Sequence, residues 1–234
     1  MIGVRRRVRS PLLDLVRLTP VQRRGAGSAG VALGLVSTDK DITALAGVLG
    51  ADSLSICPLC PVLPRTAEDD PVDAIAELLD GPVRVIVLGT SGPEDEVPGL
   101  TETLDRAAEL GVLIVAPGGP LTALTAHPWV LPVVSCTASG RVSWFVDLEE
   151  EPRGLLAPGE DVPSPTGQAT GNGVAAAVVA GTAALLWSLH PDATGHRIRA
   201  ALSIGAVHAR RSGPPLLDAE RAHEFLTRVV ATSR

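Results

Sequence analysis

The sequence predicts an α/β protein with a mostly parallel central sheet and helices on both of its faces. Two observations lead to this prediction. Short apolar runs bounded by glycine and small polar residues are typical of buried parallel strands, and they alternate with segments whose apolar residues recur at helical spacing. The 234 residues are also 45% hydrophobic, which suits one domain with a large core.

The predicted strands begin with a continuous apolar run, GVALGLV, at residues 30–36. Further apolar runs of this kind predict strands at 83–89, 112–119 and 129–136. A short strand is predicted at 53–56, and residues 140–148 are predicted to return as a hairpin arm.

The first predicted helix is short, begins at Ser10-Pro11 as cap and first helical residue, and ends at Thr19-Pro20. The other helices are indicated by apolar spacing and glycine stops, and lie at 42–50, 71–80, 100–111, 173–189, 194–203 and 216–231. Asp69 or Asp70 is predicted to cap the helix at 71–80.

A basic arm precedes the domain in this prediction. Residues 1–9 contain four arginines, but no signal-peptide apolar segment follows, since Asp14 and Arg17 interrupt the next stretch. The arm at 1–10 is interpreted as solvated rather than as a lipid- or acid-binding patch. Residues 11–234 are predicted to form a single domain.

The net charge of −6 does not favour a nucleic-acid partner. The long apolar run at 173–189 is short for a membrane span and is predicted to be a buried core helix. The chain is therefore predicted to be cytoplasmic, with no membrane or nucleic-acid partner.

Cysteine and acidic residues give no clear metal or redox motif. The CPLC segment places Cys57 and Cys60 at the spacing of a redox motif. A zinc site would need a second pair of cysteines, which is missing, and a thioredoxin-like redox site would need a helix pattern directly after the motif, which is also missing. Buried or loop cysteines are the favoured interpretation, with a local disulfide or a redox site as alternatives. A solvated loop and a helix cap explain the aspartates better than a metal cluster does, and no metal or cofactor is predicted; these aspartates are Asp39, Asp41, Asp69 and Asp70.

The segment GNGVAAAVVAGTAALLW at 171–187 begins an apolar helix directly behind two glycines and an asparagine. A helix N-terminus is a favourable place for a nucleophile or an anion, because its unpaired N–H groups point outward. Position 173 nevertheless offers only the hydrogen atom of Gly173.

Seven stretches, in order along the chain, carry a resemblance to a known family. They are LTPVQRRGAGSAGVALGLV at 18–36, SICPLCPVLPR at 55–65, AELGVLIVAPGGP at 108–120, HPWVLPVVSCTASGRVSWF at 127–145, GLLAPGEDVPSP at 154–165, GNGVAAAVVAGTAALLWSLHPDATGHRIRAALS at 171–203 and PPLLDAERA at 214–222. They resemble the subtilisin-like serine proteases, most closely the subset that matures cyanobactin-type ribosomal peptides. The resemblance implies a three-layer α/β/α fold.

The family's mechanism requires an Asp, a His and a Ser in that chain order, together with an Asn that stabilises the oxyanion. Carried onto this chain, the resemblance places Ser37 at the Asp position, Asp41 at the His position and Gly173 at the nucleophile position. Pro120 stands at the Asn position and has no amide to donate. The family also places tens of residues between its Asp and His, so the four-residue spacing of Ser37 and Asp41 implies a deletion.

The resemblance therefore implies an inactive pseudoprotease that binds a peptide or protein. Gly89, Thr90, Ser91 and Gly92 correspond to the family's substrate-pairing strand, where glycines leave room for a peptide backbone; an ordinary strand-to-helix loop is the alternative.

The implied partner is a precursor peptide of ribosomal-peptide biosynthesis, an active subtilase or a modifying enzyme, in a hetero- or homo-oligomer. An endopeptidase with a degenerate or relocated site is the alternative function. The histidines that such a site would use have no Ser or Cys motif beside them, and they are His127, His190, His196, His208 and His223.

Overall fold

The main sheet is parallel throughout. In a computed structural model that describes residues 11–50, 55–67, 70–147, 153–207 and 213–232, its six strands lie in the order β2-β1-β3-β4-β5-β6. The strands are β1 (Ala32–Ser37), β2 (Val62–Thr66), β3 (Val83–Leu88), β4 (Leu113–Pro117), β5 (Val130–Cys136) and β6 (Leu155–Pro158). A small antiparallel hairpin follows, formed by β7 (Val162–Ser164) and β8 (Gly167–Ala169).

The helices of the described residues are α1 (Pro11–Leu15), α2 (Leu18–Arg24), α3 (Ile42–Leu49), α4 (Val72–Leu79), α5 (Leu100–Leu110), α6 (Ala123–Ala126), α7 (Asn172–Leu189), α8 (Gly195–Gly205) and α9 (Ala219–Thr232). The long predicted helices are confirmed within a residue or two at most ends, apart from the start of α9.

The two faces of the sheet carry separate parts of the core. On β1, Leu33 and Leu35 belong to the cluster that packs against α3 and α7, whereas Ala32 and Val36 belong to the cluster that packs against α4 and α5. Since successive strand residues point to opposite faces, a strand buried on both sides appears as a continuous apolar run. The predicted α/β architecture with helices on both faces is confirmed.

Helix α7 forms the centre of the larger core cluster. It is the one helix among the described residues that is long and apolar enough to cross a membrane, but 83% of it is buried inside the protein. Near its end, Trp187 is 1% exposed and its indole N–H donates to the carbonyl of Ala193 at 2.8 Å. The prediction of a buried core helix is confirmed.

Two strand predictions are wrong. Ser55 and Ile56 form a bend and not a strand, because the Ile56 N–H donates to the carbonyl of Val48 at the end of α3. The chain after β5 turns back only far enough for one antiparallel bridge between Cys136 and Val142, so no hairpin arm forms at the described residues of 140–148.

The prediction that the first helix ends at Thr19-Pro20 is also wrong. Both residues lie in the first turn of α2, where a proline needs no N–H partner. The N-cap of α4 is Pro71 and not Asp70, although the Asp70 carboxylate accepts from the N–H of Val72, the first residue of the helix, at 2.9 Å. Asp69, Ser10 and the basic arm at 1–10 lie outside the described residues.

Cys57 and Cys60 form a disulfide. The turn between them, in which the Cys60 N–H donates to the carbonyl of Cys57 at 2.9 Å, brings their Cα atoms to 5.4 Å. The structure therefore contradicts the favoured interpretation of unbonded cysteines and supports the alternative of a local disulfide. Cys136 is buried and free, and burial, with a smaller contribution from Glu160, raises the pKa of its thiol to about 12.

A bidentate ion pair joins α2 to α9. The guanidinium of Arg24 donates to both carboxylate oxygens of Glu220, at 2.8 and 2.7 Å. The Glu220 side chain is 9% exposed and that of Arg24 is 42% exposed. The hydrogen bonds from Arg24 hold the pKa of Glu220 below its ordinary value of 4.5.

Glu220→Gln is expected to lower the free energy of unfolding by about 1 kcal/mol near neutral pH. The loss is limited because the Arg24 side chain is partly exposed, so that solvent screens the ion pair. Because the pKa of Glu220 is lower in the folded state, the pair stabilises fully above the unfolded value, and this stabilisation is lost as pH falls through the folded value. Urea unfolding of both proteins near neutral pH and at about pH 3 measures the difference. A difference that does not shrink in acid would contradict this account.

Candidate functional site

A cleft of about 490 Å³ lies at the carboxyl ends of β3 and β4. It is lined by the start of α3, the segment that follows β3, the β7–β8 hairpin and the first turn of α7. In parallel α/β sheets the carboxyl ends of the strands are the usual place for a binding site. The cleft is the place where several of the predicted site residues meet.

The start of α7 is fixed to the ends of two strands by one side chain. The Asn172 amide donates to the carbonyl of Gly118 at 2.8 Å, and its carbonyl oxygen accepts from the N–H of Ser135 at 2.9 Å. Directly before it, Gly171 has φ 147°, a conformation that glycine adopts readily. The glycine and the asparagine together set the position of the helix N-terminus in the cleft.

Gly173 lies in the first turn of α7 against the end of β3. A Cβ atom at position 173 would lie well inside van der Waals contact with the carbonyl oxygen of Gly89, and only 3.0 Å from its carbonyl carbon. Both neighbours are backbone atoms, which cannot rotate away. A side chain at position 173 would therefore require the main chain of Gly89 or of α7 to move.

Ser37 lies beneath the cleft as the last residue of β1. Its side chain is fully buried, and its hydroxyl has no hydrogen-bond partner among the described residues. This hydroxyl and the side chain of Leu45 fill the space beside the Cα of Gly89, where a Cβ would lie 2.6 Å from Leu45. Internal packing accounts for the glycine at position 89, so its role in peptide binding stays a prediction.

Asp41 lies at the mouth of the same cleft as the residue that precedes α3. A tight turn connects β1 to α3, in which the Asp41 N–H donates to the carbonyl of Thr38 at 3.2 Å. The structure thus brings Asp41, Gly89 and Gly173 together, with Thr90 and Ser91 on the same wall.

Besides the buried Ser37, two of the predicted site residues lie outside this lining. Pro120 is exposed in the loop after β4. Gly92 has φ 75°, and a Cβ there would lie 2.8 Å from the side chain of Leu124, so this glycine serves a turn that packs on α6. Neither residue contributes to the cleft.

Sequence reasoning misses two parts of the cleft. Asn172 lies between two glycines and carries no predicted role, although a lone asparagine before an apolar helix is a signal of a polar anchor. The β7–β8 hairpin places Gln168 on the cleft wall, and the turn residues Ser164 to Gly167 are its available signal.

No histidine among the described residues lines the cleft. His127 pairs with Asp105, and His190 and His223 contact each other at 2.9 Å between ring nitrogens, where burial lowers the pKa of both. His196 packs on a tryptophan ring, while His208 lies outside the described residues. The described part of the chain also holds no group of three or more side chains suited to a metal ion.

Comparison with known proteins gives structural similarity only. No family model matches the sequence, and no curated protein is significantly similar to it. Among solved structures, the prenylagaramide maturation protease PagA superposes with a TM-score of 0.75 at 18% identity, over 91% of this chain and 99% of that one.

Two further structures are similar over nearly the whole chain. The PatG macrocyclase in complex with peptide gives a TM-score of 0.78 at 17% identity, over 96% of this chain and 99% of that one. The MycP3 protease from the type VII (ESX-3) secretion system gives 0.73 at 18% identity, over 95% and 90%. The chain therefore has the subtilisin-like α/β fold of the maturation proteases PagA and PatG.

Proposed function

We propose that this protein is a subtilisin-fold subunit without peptidase activity that binds an extended peptide segment in its cleft. The observation that carries the proposal is the lack of space for any side chain at position 173. The carbonyl group of Gly89 lies where a nucleophile's side chain would extend, whereas the neighbouring cleft remains open. The first feature supports loss of chemistry and the second supports retention of binding.

The loss of activity is supported at every position that the mechanism needs. A serine cannot carry the negative charge that orients an imidazolium, and Asp41 cannot shuttle a proton as an imidazole does. Gly173 has no nucleophile, and Pro120, which has no amide to donate, is exposed and outside the cleft lining. With all four positions replaced, the chain keeps none of the four side chains that the mechanism needs.

Peptide binding is supported by the size and composition of the cleft. A volume of about 490 Å³ lies within the usual range of roughly 300–1,000 Å³ for ligand sites. Main-chain pairing needs only extended backbone and shallow side-chain pockets, and no catalytic group. One of the similar structures is the PatG macrocyclase in complex with peptide, which makes a peptide the first ligand class to test here.

A precursor peptide of ribosomal-peptide biosynthesis is the proposed ligand, because the similar structures include maturation proteases for prenylagaramide and patellamide. Binding to such a peptide, or to the enzyme that processes it, would make this chain a partner subunit in the cytoplasm.

Fluorescence anisotropy with a library of fluorescein-labelled peptides of about ten residues tests the proposal. Saturable binding is expected, without cleavage of the peptide over hours. Gln168→Trp fills the cleft from its exposed wall and is expected to weaken binding at least about tenfold. Glu102→Trp, on the exposed face of α5, is the matched control and is expected to bind as the wild type does.

Two results would overturn the proposal. Absence of saturable binding by every peptide in the library, or equal weakening by both tryptophan variants, would remove the binding role. Cleavage that a serine-directed inhibitor blocks would instead favour the endopeptidase interpretation.

A further inference from the structure

A second cavity, of about 250 Å³, lies at the opposite end of the sheet from the cleft. It is lined by residues at the starts of β5 and β6 and by the side of α8. Because all strands of the sheet are parallel, these amino ends lie away from the carboxyl ends that form the cleft. A ligand here would therefore occupy a separate site.

The charged side chains that line this cavity are basic. Arg153 stands just before β6 and Arg199 lies on α8, and His127 also lines the cavity. No acidic side chain from the described part of the chain lines the cavity. Two arginines that line one cavity are a local concentration of positive charge, which attracts anions.

Arg199 is held in place and incompletely satisfied. One guanidinium nitrogen donates to the carbonyl of Pro128 at 2.7 Å, and the guanidinium carbon lies 5.7 Å from the ring centre of Trp129. Its Nε atom is buried and has no hydrogen-bond partner among the described residues. Burial also lowers the pKa of Arg199, although an arginine remains a cation at neutral pH.

The surroundings of Arg199 are themselves fixed. The indole N–H of Trp129 donates to the carbonyl of Val112 at 2.7 Å. The Nδ1 atom of His127 accepts from the Trp129 N–H at 3.3 Å, and its Nε2 atom lies 3.2 Å from a carboxylate oxygen of Asp105. Both nitrogens of His127 are thus engaged, so the charged donors that remain for a ligand are those of the two arginines.

We propose that this cavity binds a small oxyanion, with Arg199 and Arg153 as its ligands. An anion beside the guanidinium would offset the cost of desolvating this buried cation, and its oxygens would accept from the terminal guanidinium N–H groups that Pro128 leaves free and from Arg153. Guanidinium groups match the geometry of phosphate and carboxylate oxygens. The volume is below that of a drug-sized pocket, which limits the ligand to phosphate, a small carboxylate or a terminal group of that size.

Titration of ¹⁵N-labelled protein with sodium phosphate tests this site, with chloride adjusted to hold the ionic strength constant. The indole N–H peak of Trp129 is the reporter, because Arg199 lies over its ring, and a Trp129→Phe variant assigns it among the three tryptophans. A saturable shift of this peak is expected while the peaks of Trp144 and Trp187 stay in place. A parallel titration with sodium acetate distinguishes a phosphate site from a carboxylate site by relative affinity.

Arg199→Gln is expected to weaken binding at least about tenfold and Arg153→Gln at least about threefold. Arg197→Gln is the matched control, because Arg197 lies on the same helix without lining the cavity, and it is expected to bind within about twofold of the wild type. The Arg153 side chain is exposed, so that variant tests the site even if Arg199→Gln fails to fold.

No saturable shift with either anion would overturn the proposal, as would equal weakening by the Arg197 control. The result is independent of peptide binding, since the reporter and the variants lie at the other end of the sheet.

Discussion

Gly173→Ser is expected to destabilise the protein by about 3 kcal/mol and to create no peptidase activity. The new Cβ would press on the carbonyl group of Gly89, so either the start of α7 or the end of β3 must move. Both are held in place, α7 by the Asn172 amide and β3 by the hydrogen bond from the Gly89 N–H to the carbonyl of Val36 at 2.8 Å. Strain rather than repair of the triad is therefore the expected result.

Urea unfolding and a peptidase assay on the same preparation measure both parts of this prediction. Gly30→Ala is the control, because the nearest atom to its added Cβ is 3.7 Å away and its φ lies outside the left-handed region, so a change within about 0.5 kcal/mol is expected. A serine variant of wild-type stability that hydrolyses peptides would show that the nucleophile position and the inactivity are both misassigned.

Asn172→Ala is expected to lower the free energy of unfolding by about 2 to 3 kcal/mol. The substitution leaves the carbonyl of Gly118 and the N–H of Ser135 without their partner, and each unsatisfied buried group costs roughly 1–3 kcal/mol. Because these groups end β4 and β5, the helix N-terminus should also loosen relative to the sheet. Hydrogen exchange at the Ser135 N–H is expected to quicken more than exchange in the middle of β5.

Gln168→Ala is the matched control for the asparagine variant. Gln168 lines the same cleft from an exposed strand position, and its truncation is expected to change stability by less than about 0.5 kcal/mol. Equal losses in the two variants would mean that the cleft as a whole, and not the asparagine's two hydrogen bonds, determines stability here.

The long elements of this fold were predictable because each has a strong local pattern. β1, β3, β4 and β5 are apolar runs buried in a parallel sheet, and α7 is apolar throughout its length. β6 and the hairpin strands have only four and three residues, too few for a periodic signal. β2 has a weak strand pattern because it lies at the edge of the sheet and is largely exposed.

The sequence was enough to predict which residues belong to the candidate site, but not how these residues pack against one another. The residues at positions 37, 41 and 173 follow from collinear stretches, which place them in order along the chain. The packing of Gly89 on Gly173 joins positions that are distant in sequence, so no local pattern encodes it. The exposed position of Pro120 outside the cleft lining depends on the path of the loop between β4 and α6, which no local pattern encodes.

The two edge strands of the main sheet offer few free backbone groups for pairing with a strand of another chain. At the outer edge of β2, Pro64 has no N–H to offer and its carbonyl already accepts from the side chain of Arg65 at 2.8 Å. At the opposite edge, the Leu156 N–H donates to the carbonyl of Pro215 and the Leu156 carbonyl accepts from the Leu217 N–H. Edge-to-edge pairing, the usual start of β-mediated aggregation, is thus obstructed on both sides, which favours a protein that stays dispersed at high concentration.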